Sequence, residues 1–89
     1  MLRYRIEFRA AAERGLRAFP KQVGVQLASA IDGLSVNPRP FGVKKLRGGQ
    51  NLYRIKAGPG KAYRIVYEIR DDVLLVLVVT VGHRKDVYR

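Results

Sequence analysis

Two stretches in the second half of the chain alternate between charged and apolar residues. In residues 52–57 and 63–70 this alternation has a period of two, which predicts β-strands with one buried face. A nearly continuous apolar run at residues 73–81 is typical of a central strand. Asp71 and Asp72 stand just before that run, so we predict a tight turn there.

The loop between the first two of these strands determines their register. If the loop held four residues, Arg64 would lie opposite Ile55 and its charge would enter the core. A loop of five residues, 58–62, places Arg64 opposite Lys56 and Ile65 opposite Ile55. Because burying an unpaired charge is costly, we predict the five-residue loop or an equivalent bulge.

The predicted register collects three cations on one face of the sheet. Arg54 and Lys56 are two residues apart on one strand, and Arg64 faces Lys56 from the next. We call the face that carries these three residues the cationic face, and we expect all three to be exposed to solvent. Because neighbouring like charges repel each other, this concentration predicts a polyanionic partner.

The first half of the chain predicts one strand and two helices. Residues 2–8 alternate in the manner of a half-buried strand, and residues 10–18 are rich in alanine, which favours a helix. Val23, Leu27, Ile31 and Leu34 recur at helical spacing, which predicts an amphipathic helix over residues 20–36.

These elements predict one α+β domain over residues 1–89. Their order is strand, two helices, three strands, with both helices packed on one face of a mostly antiparallel four-stranded sheet. The first strand is expected to pair at one edge or beside the last strand.

Residues 39–51 contain prolines, glycines and three cations, and they predict a loop. The cations are Lys44, Lys45 and Arg47. The loop is either a solvated connector or a basic flap beside the cationic face, and the sequence supports both interpretations equally.

The charge balance narrows the class of partner. The chain has 18 Lys and Arg residues against 7 Asp and Glu residues, a formal net charge of +11. Nucleic acid is the first candidate partner, and an anionic membrane surface or an acidic protein are the others. A soluble protein from a basic proteome is the remaining interpretation.

There is no cysteine and one histidine, so we predict no disulfide, no metal site and no cofactor. No apolar segment reads as a signal peptide or a membrane span, and the expected location is the cytoplasm.

Three motifs resemble those of a known family. LxGxxNLYRIK, AYRIVYEI and VGHRKDVY occur here in an order and spacing that resemble the RelE/ParE toxin superfamily, in particular its RelE-like branch. The resemblance covers essentially the whole chain. It implies two helices on a mostly antiparallel sheet, and a metal-independent endoribonuclease that cuts mRNA in the ribosomal A site. It also implies a cognate RelB-like antitoxin, through which the toxin–antitoxin complex can bind operator DNA.

The resemblance also implies roles for individual residues. The catalytic set is Lys56, Arg64, Arg84 and Tyr88. The expected substrate-binding residues are Arg54, Lys44, Lys45, Arg47 and His83. Two positions depart from the family pattern, since lysine can stand at Arg54 and another basic residue at His83. Two alternatives stay open: a ParE-like inhibitor of DNA gyrase, and a member that binds nucleic acid without cleaving it.

The predicted chemistry is attack of an RNA 2′-hydroxyl on the adjacent phosphate. Lys56 is the candidate base, because the neighbouring cations disfavour its ammonium form. Arg64 can clamp the phosphate with its planar guanidinium. Arg84 can stabilise the leaving oxygen by its charge or by donating a proton, and Tyr88 can stack on a base or hold the 2′-hydroxyl.

Overall fold

The computed structural model describes residues 3–87. The helices and strands are, in chain order, β1 (Arg5–Phe8), α1 (Ala10–Ala18), α2 (Lys21–Val36), β2 (Lys44–Lys45), β3 (Leu52–Ala57), β4 (Tyr63–Arg70), β5 (Leu75–His83) and α3 (Arg84–Val87). None of the helices within these residues is long and apolar enough to cross a membrane.

The five strands form one sheet in the order β1-β5-β4-β3-β2. β1 pairs with β5 in parallel at one edge, and the other three pairings are antiparallel. Ile55 lies opposite Ile65, and Lys56 lies opposite Arg64. The predicted α+β class, the five-residue loop and the register of β3 and β4 are therefore confirmed.

The sheet differs from the prediction in its fifth strand and in the bounds of two others. β2 lies within the predicted loop and pairs with β3. β5 begins two residues later than predicted, because residues 71–73 form a 3-10 turn and Leu74 has a left-handed φ of 50°. β1 begins at Arg5, and Leu2, where the predicted strand begins, lies outside the described residues.

Both helices cover the same face of the sheet. Leu27, Ile31 and Leu34 of α2 are almost completely buried in one apolar cluster with Ile65 and Tyr67 of β4. We call this the helix side of the sheet. The opposite side carries the cationic face, as predicted from strand alternation.

α1 crosses β5 at very short range. A Cβ atom added to Gly15 would lie 2.6 Å from the backbone oxygen of Val81. Only glycine permits this approach, so the residue that weakens the helix locally is the one that lets α1 pack on the sheet. The contact holds the end of β5 from which the chain enters α3.

An ion pair fixes the segment that follows α2. The Arg39 guanidinium donates two hydrogen bonds to the Asp71 carboxylate, at 2.8 and 3.2 Å, and Tyr4 Oη donates a third. Hydrogen bonding from Arg39, and then from Tyr4, lowers the pKa of Asp71 to about 2. The same contact raises the pKa of Arg39. The ion pair ties the segment after α2 to the turn between β4 and β5.

Candidate functional site

The centre of the site is a pair of cations that face each other across two strands. Lys56 of β3 and Arg64 of β4 are directly opposite, and side chains so placed have Cβ atoms about 4.5–5.5 Å apart. Arg54 lies two residues from Lys56 on the same face. The structure thus brings together the three predicted residues of the cationic face.

The predicted exposure of these residues is wrong for both arginines. Arg54 and Arg64 are each 8% exposed, whereas Lys56 is exposed. Arg54 is buried because β2 adds a strand outside β3, so Lys44 flanks it on one side and Val66 on the other. Arg64 is buried because its guanidinium folds back onto its own loop.

Arg64 is held by backbone carbonyls. Its Nη1 donates to the carbonyl oxygen of Lys61 at 2.8 Å and to that of Tyr63 at 3.1 Å. The Nε atoms of Arg54 and Arg64 are buried and have no hydrogen-bond acceptor among residues 3–87. Buried donors without an acceptor are costly, so both guanidinium groups retain unused capacity for an anion.

The three cations of the former loop separate in the structure. Lys44 pairs with Arg54 and so lies on the cationic face, whereas Lys45 pairs with Tyr53 and lies on the helix side. Both are exposed, and Arg47 is exposed in the loop that follows β2. Only Lys44 therefore belongs to the same surface as the central pair.

Arg84 lies at the end of the site. Its backbone N–H donates to the Ala62 carbonyl at 2.8 Å, which continues the pairing of β4 with β5 by one step past Tyr63 and His83. In that register Arg84 lies two residues after Gly82, and Gly82 is the residue opposite Arg64. The exposed Arg84 is thus anchored beside the loop that holds the Arg64 guanidinium.

His83 is not brought to the cationic face. It lies opposite Tyr63 on the helix side, and the two rings meet edge to face with centroids 5.4 Å apart. Phe19 also packs edge to face against Tyr63, with ring centroids 5.1 Å apart. His83 Nδ1 accepts a hydrogen bond from the Lys85 backbone N–H at 3.2 Å. His83 therefore packs against Tyr63 on the helix side, away from Arg54, Lys56 and Arg64. Tyr88, predicted to be catalytic, lies outside the described residues.

Four of the seven carboxylates form ion pairs with described residues, and none of these pairs involves the three cations of the cationic face. The four ion pairs found within residues 3–87 are Arg5–Glu7, Arg17–Glu13, Arg39–Asp71 and Arg70–Glu68. Two of these, Arg5–Glu7 and Arg70–Glu68, lie toward the other end of the sheet face that carries Arg64. Across the described part of the chain, no carboxylate forms an ion pair with Arg54, Lys56 or Arg64. The same residues contain no group of three or more His, Asp or Glu side chains that could hold a metal ion.

The arrangement can bind a phosphodiester. Two guanidinium groups with little exposure and one exposed amine lie on adjacent strands, and charges act over a longer range where water is excluded. Such fixed positive groups can stabilise the additional negative charge that develops on a phosphate during transfer.

One residue near the site carries a signal that the sequence interpretation did not use. Phe41 lies in the predicted loop and is fully exposed to solvent. An aromatic residue between a proline and a glycine in a basic loop could have been recognised as a displayed side chain.

The chain matches one protein family over nearly its whole length. Residues 5–88 match the family model for the ParE toxin of the type II toxin–antitoxin system parDE. The toxin RelG of Mycobacterium tuberculosis is 33% identical over 91 residues, which cover 97% of this chain and 97% of that protein. The mRNA interferase toxin RelE of Escherichia coli K12 is 32% identical over 82 residues, which cover 92% of this chain and 84% of that protein.

Solved structures of similar proteins have the same fold. A chain in the crystal structure of the intact E. coli RelBE toxin–antitoxin complex aligns with a TM-score of 0.77 at 31% identity. The alignment covers 90% of this chain and 95% of that chain.

Proposed function

Because this chain belongs to the RelE/ParE superfamily of type II toxins, we propose that it is an endoribonuclease that cleaves mRNA in the ribosomal A site. Cleavage there stops translation. The proposed nucleophile is the 2′-hydroxyl of the RNA itself, and the reaction requires no metal ion. The relative from E. coli K12 that is named an mRNA interferase supports this activity.

The observation that carries the proposal is the position of Lys56 directly opposite Arg64. A carboxylate opposite either residue would have formed an ion pair and removed the repulsion between like charges. Instead, like charges face each other, and Arg54 lies diagonally beside them. An RNA phosphate between these side chains supplies the missing negative charge.

Each cation has a separate task in the proposed reaction. The exposed amine of Lys56 takes the proton of the 2′-hydroxyl, whose oxygen attacks the adjacent phosphorus. The positive charges of Arg54 and Arg64 stabilise the negative charge that builds up on the phosphate oxygens. Arg84 stabilises the 5′-oxygen as its bond to phosphorus breaks, and this oxygen then takes a proton from water. Tyr88 stacks on a base or holds the 2′-hydroxyl. The products carry a 2′,3′-cyclic phosphate and a 5′-hydroxyl.

We also propose a cognate antitoxin with an acidic, amphipathic segment that masks the cationic face. The net charge of +11 and the solved RelBE toxin–antitoxin complex support this partner. Co-expression of the two genes is expected to give one complex at low salt. Separate elution of the two proteins would leave this part of the proposal without support.

The test compares cleavage with binding on the same ribosomes. Lys56→Ala and Arg64→Ala are expected to slow single-turnover mRNA cleavage by about 10²–10⁴-fold. Binding to programmed ribosomes is expected to weaken much less, because exposed cations outside the central pair still contact phosphates. Lys21→Ala and Arg14→Ala are the matched controls, since both residues are exposed on the helices. A chelator is expected to have no direct effect on the chemical step.

Two results would overturn the proposal in different ways. Equal losses of binding and cleavage rate in the Lys56 and Arg64 variants would mean that these residues only hold RNA. A wild-type protein that leaves mRNA on ribosomes intact but inhibits DNA gyrase would support the second candidate function, a ParE-like inhibitor of DNA gyrase. That candidate rests on the matching family model, which is that of a ParE toxin.

A further inference from the structure

Phe41 is displayed by a tight turn. Its exposed fraction is 108%, so the ring contacts almost nothing in the protein. The Val43 backbone N–H donates to the Pro40 carbonyl at 3.0 Å, and Gly42 has a φ of 87°. These features are those of a type II turn with Phe41 at its second position. The turn directs an aromatic side chain into solvent.

The segment before this turn is firmly anchored. Tyr67 Oη, which is buried, donates to the Pro38 carbonyl at 2.7 Å. Arg39 is held by two hydrogen bonds to Asp71, and its guanidinium lies 5.2 Å from the centre of the Tyr53 ring. A single exposed apolar residue on a mobile loop needs no explanation. Here the backbone is fixed before Phe41 by these contacts and after it by the pairing of β2 with β3.

The ring borders a concavity that also contains part of the cationic face. The concavity has a volume of about 420 Å³, with Ala30 and Ile55 among its apolar lining residues. Lys56 and Lys61 line it together with Phe41. Ala30 and Ile55 lie on the helix side, whereas Lys56 belongs to the cationic face, so the concavity lies at the edge of the sheet where the two sides meet.

We propose that Phe41 is a stacking platform for a nucleobase of the RNA strand bound at the cationic face. This inference rests on the proposed function, since it assumes an RNA strand at that face. Aromatic side chains beside cations are the usual elements of single-strand RNA recognition, in which the base stacks and the phosphates meet the cations. A nucleotide matches both the apolar and the cationic lining of this concavity, because its base can stack on Phe41 and its phosphates can meet Lys56 and Lys61. An apolar protein segment would cover Lys56 and Lys61 without pairing their charges, which is costly.

Fluorescence measures the stacking directly. The chain contains no tryptophan, so Phe41→Trp places a single indole at the proposed contact. A short 2′-O-methyl oligoadenylate, which cannot be cleaved, is expected to quench it, and an abasic oligomer with the same backbone is not. Val25→Trp is the matched control, because Val25 is 59% exposed on α2. Equal signals from both oligomers, or no signal at saturation, would overturn the inference.

Affinity gives a second measurement. Phe41→Ala is expected to weaken binding of the oligoadenylate about 5- to 150-fold, while binding of the abasic oligomer stays the same. Phe41→Tyr is expected to restore the affinity. Unchanged oligoadenylate affinity combined with weaker antitoxin binding would assign Phe41 to a protein contact and overturn the inference.

Cleavage separates the two proposals. If the wild type cleaves mRNA but Phe41→Trp shows no base-dependent quenching, the stacking inference fails and the proposed function stands. If quenching depends on the bases but the wild type does not cleave, the nuclease proposal fails and the stacking site remains.

Discussion

Replacing Gly15 by alanine tests whether tertiary contact outweighs helix propensity. On propensity alone, alanine in α1 stabilises the helix by about 1 kcal/mol relative to glycine. The added Cβ, however, would lie 2.6 Å from the Val81 backbone oxygen, about 0.8 Å inside the 3.4 Å at which ordinary contact begins. A backbone carbonyl within a central strand cannot rotate away, so α1 has to move off the sheet.

The structure sets the sign of the net effect. Overpacking of this kind typically costs about 1–3 kcal/mol, which exceeds the gain in propensity in most of its range. We expect Gly15→Ala to lower the free energy of unfolding by about 1 kcal/mol, which corresponds to a fall in Tm of roughly 4–8 °C for a domain of this size.

Gly33→Ala is the matched control. Gly33 lies in α2, and a Cβ added there would meet no atom within 4 Å beyond the neighbouring backbone of its own helix. The same substitution is therefore expected to raise the free energy of unfolding by about 0.4–1 kcal/mol. Urea unfolding followed by circular dichroism measures both variants. If Gly15→Ala is as stable as Gly33→Ala, the close approach of α1 to β5 does not control stability and the reasoning is refuted.

Two further predictions concern charged residues. The pKa of Asp71 falls from 3.8 to about 2 on folding, so the stability that its carboxylate adds is complete above about pH 4 and disappears as the pH falls through 2. In Asp71→Asn, the free energy of unfolding measured with urea is therefore expected to change less with pH over this range. A pH profile equal to that of the wild type would contradict this. Arg54→Met is expected to raise the free energy of unfolding by about 1 kcal/mol, because a buried charge gives way to an apolar side chain of similar length, while RNA affinity falls. Thermal unfolding and oligonucleotide titration of the same variant check this trade-off, and a variant that loses both stability and affinity would refute it.

The register of β3 and β4 could be predicted because two independent signals agree. Turn residues at 58–60 limit the loop, and the cost of burying Arg64 against Ile55 selects five residues over four. The structure has this pairing. Short-range chemistry and burial were sufficient because both act on the same few residues.

β2 could not be predicted because it has only two residues. A pair of lysines shows no period, and their pairing with β3 depends on where the anchored segment after α2 brings the chain. The Arg39–Asp71 ion pair joins residues 32 positions apart in sequence. No local pattern contains that contact, although it places the loop that carries both β2 and Phe41.

The position of His83 shows what an error in strand bounds does to a site. The prediction ended β5 at residue 81, which left His83 in a tail that could turn toward the cationic face. The strand in fact continues to His83, and alternation then puts His83 on the same side as Val81, against Tyr63. The period of two was correct, and the extension of the strand by two residues decided which face the imidazole reaches.

Arg54 and Arg64 are both buried, but the fold gives a reason for the guanidinium of Arg64, whereas the proposed site gives one for that of Arg54. Alternation predicts which face a side chain takes, but its exposure depends on neighbouring strands and on how the side chain folds back. Arg64 donates to the carbonyls of Lys61 and Tyr63, so it also stabilises the loop that sets the register. The buried Nε of Arg54 has no hydrogen-bond acceptor among residues 3–87, and Arg54 is flanked by another cation, Lys44. Folding alone gives no reason to keep a guanidinium there. An anionic substrate does give one, because a phosphate would supply both the acceptor and the opposite charge that Arg54 lacks.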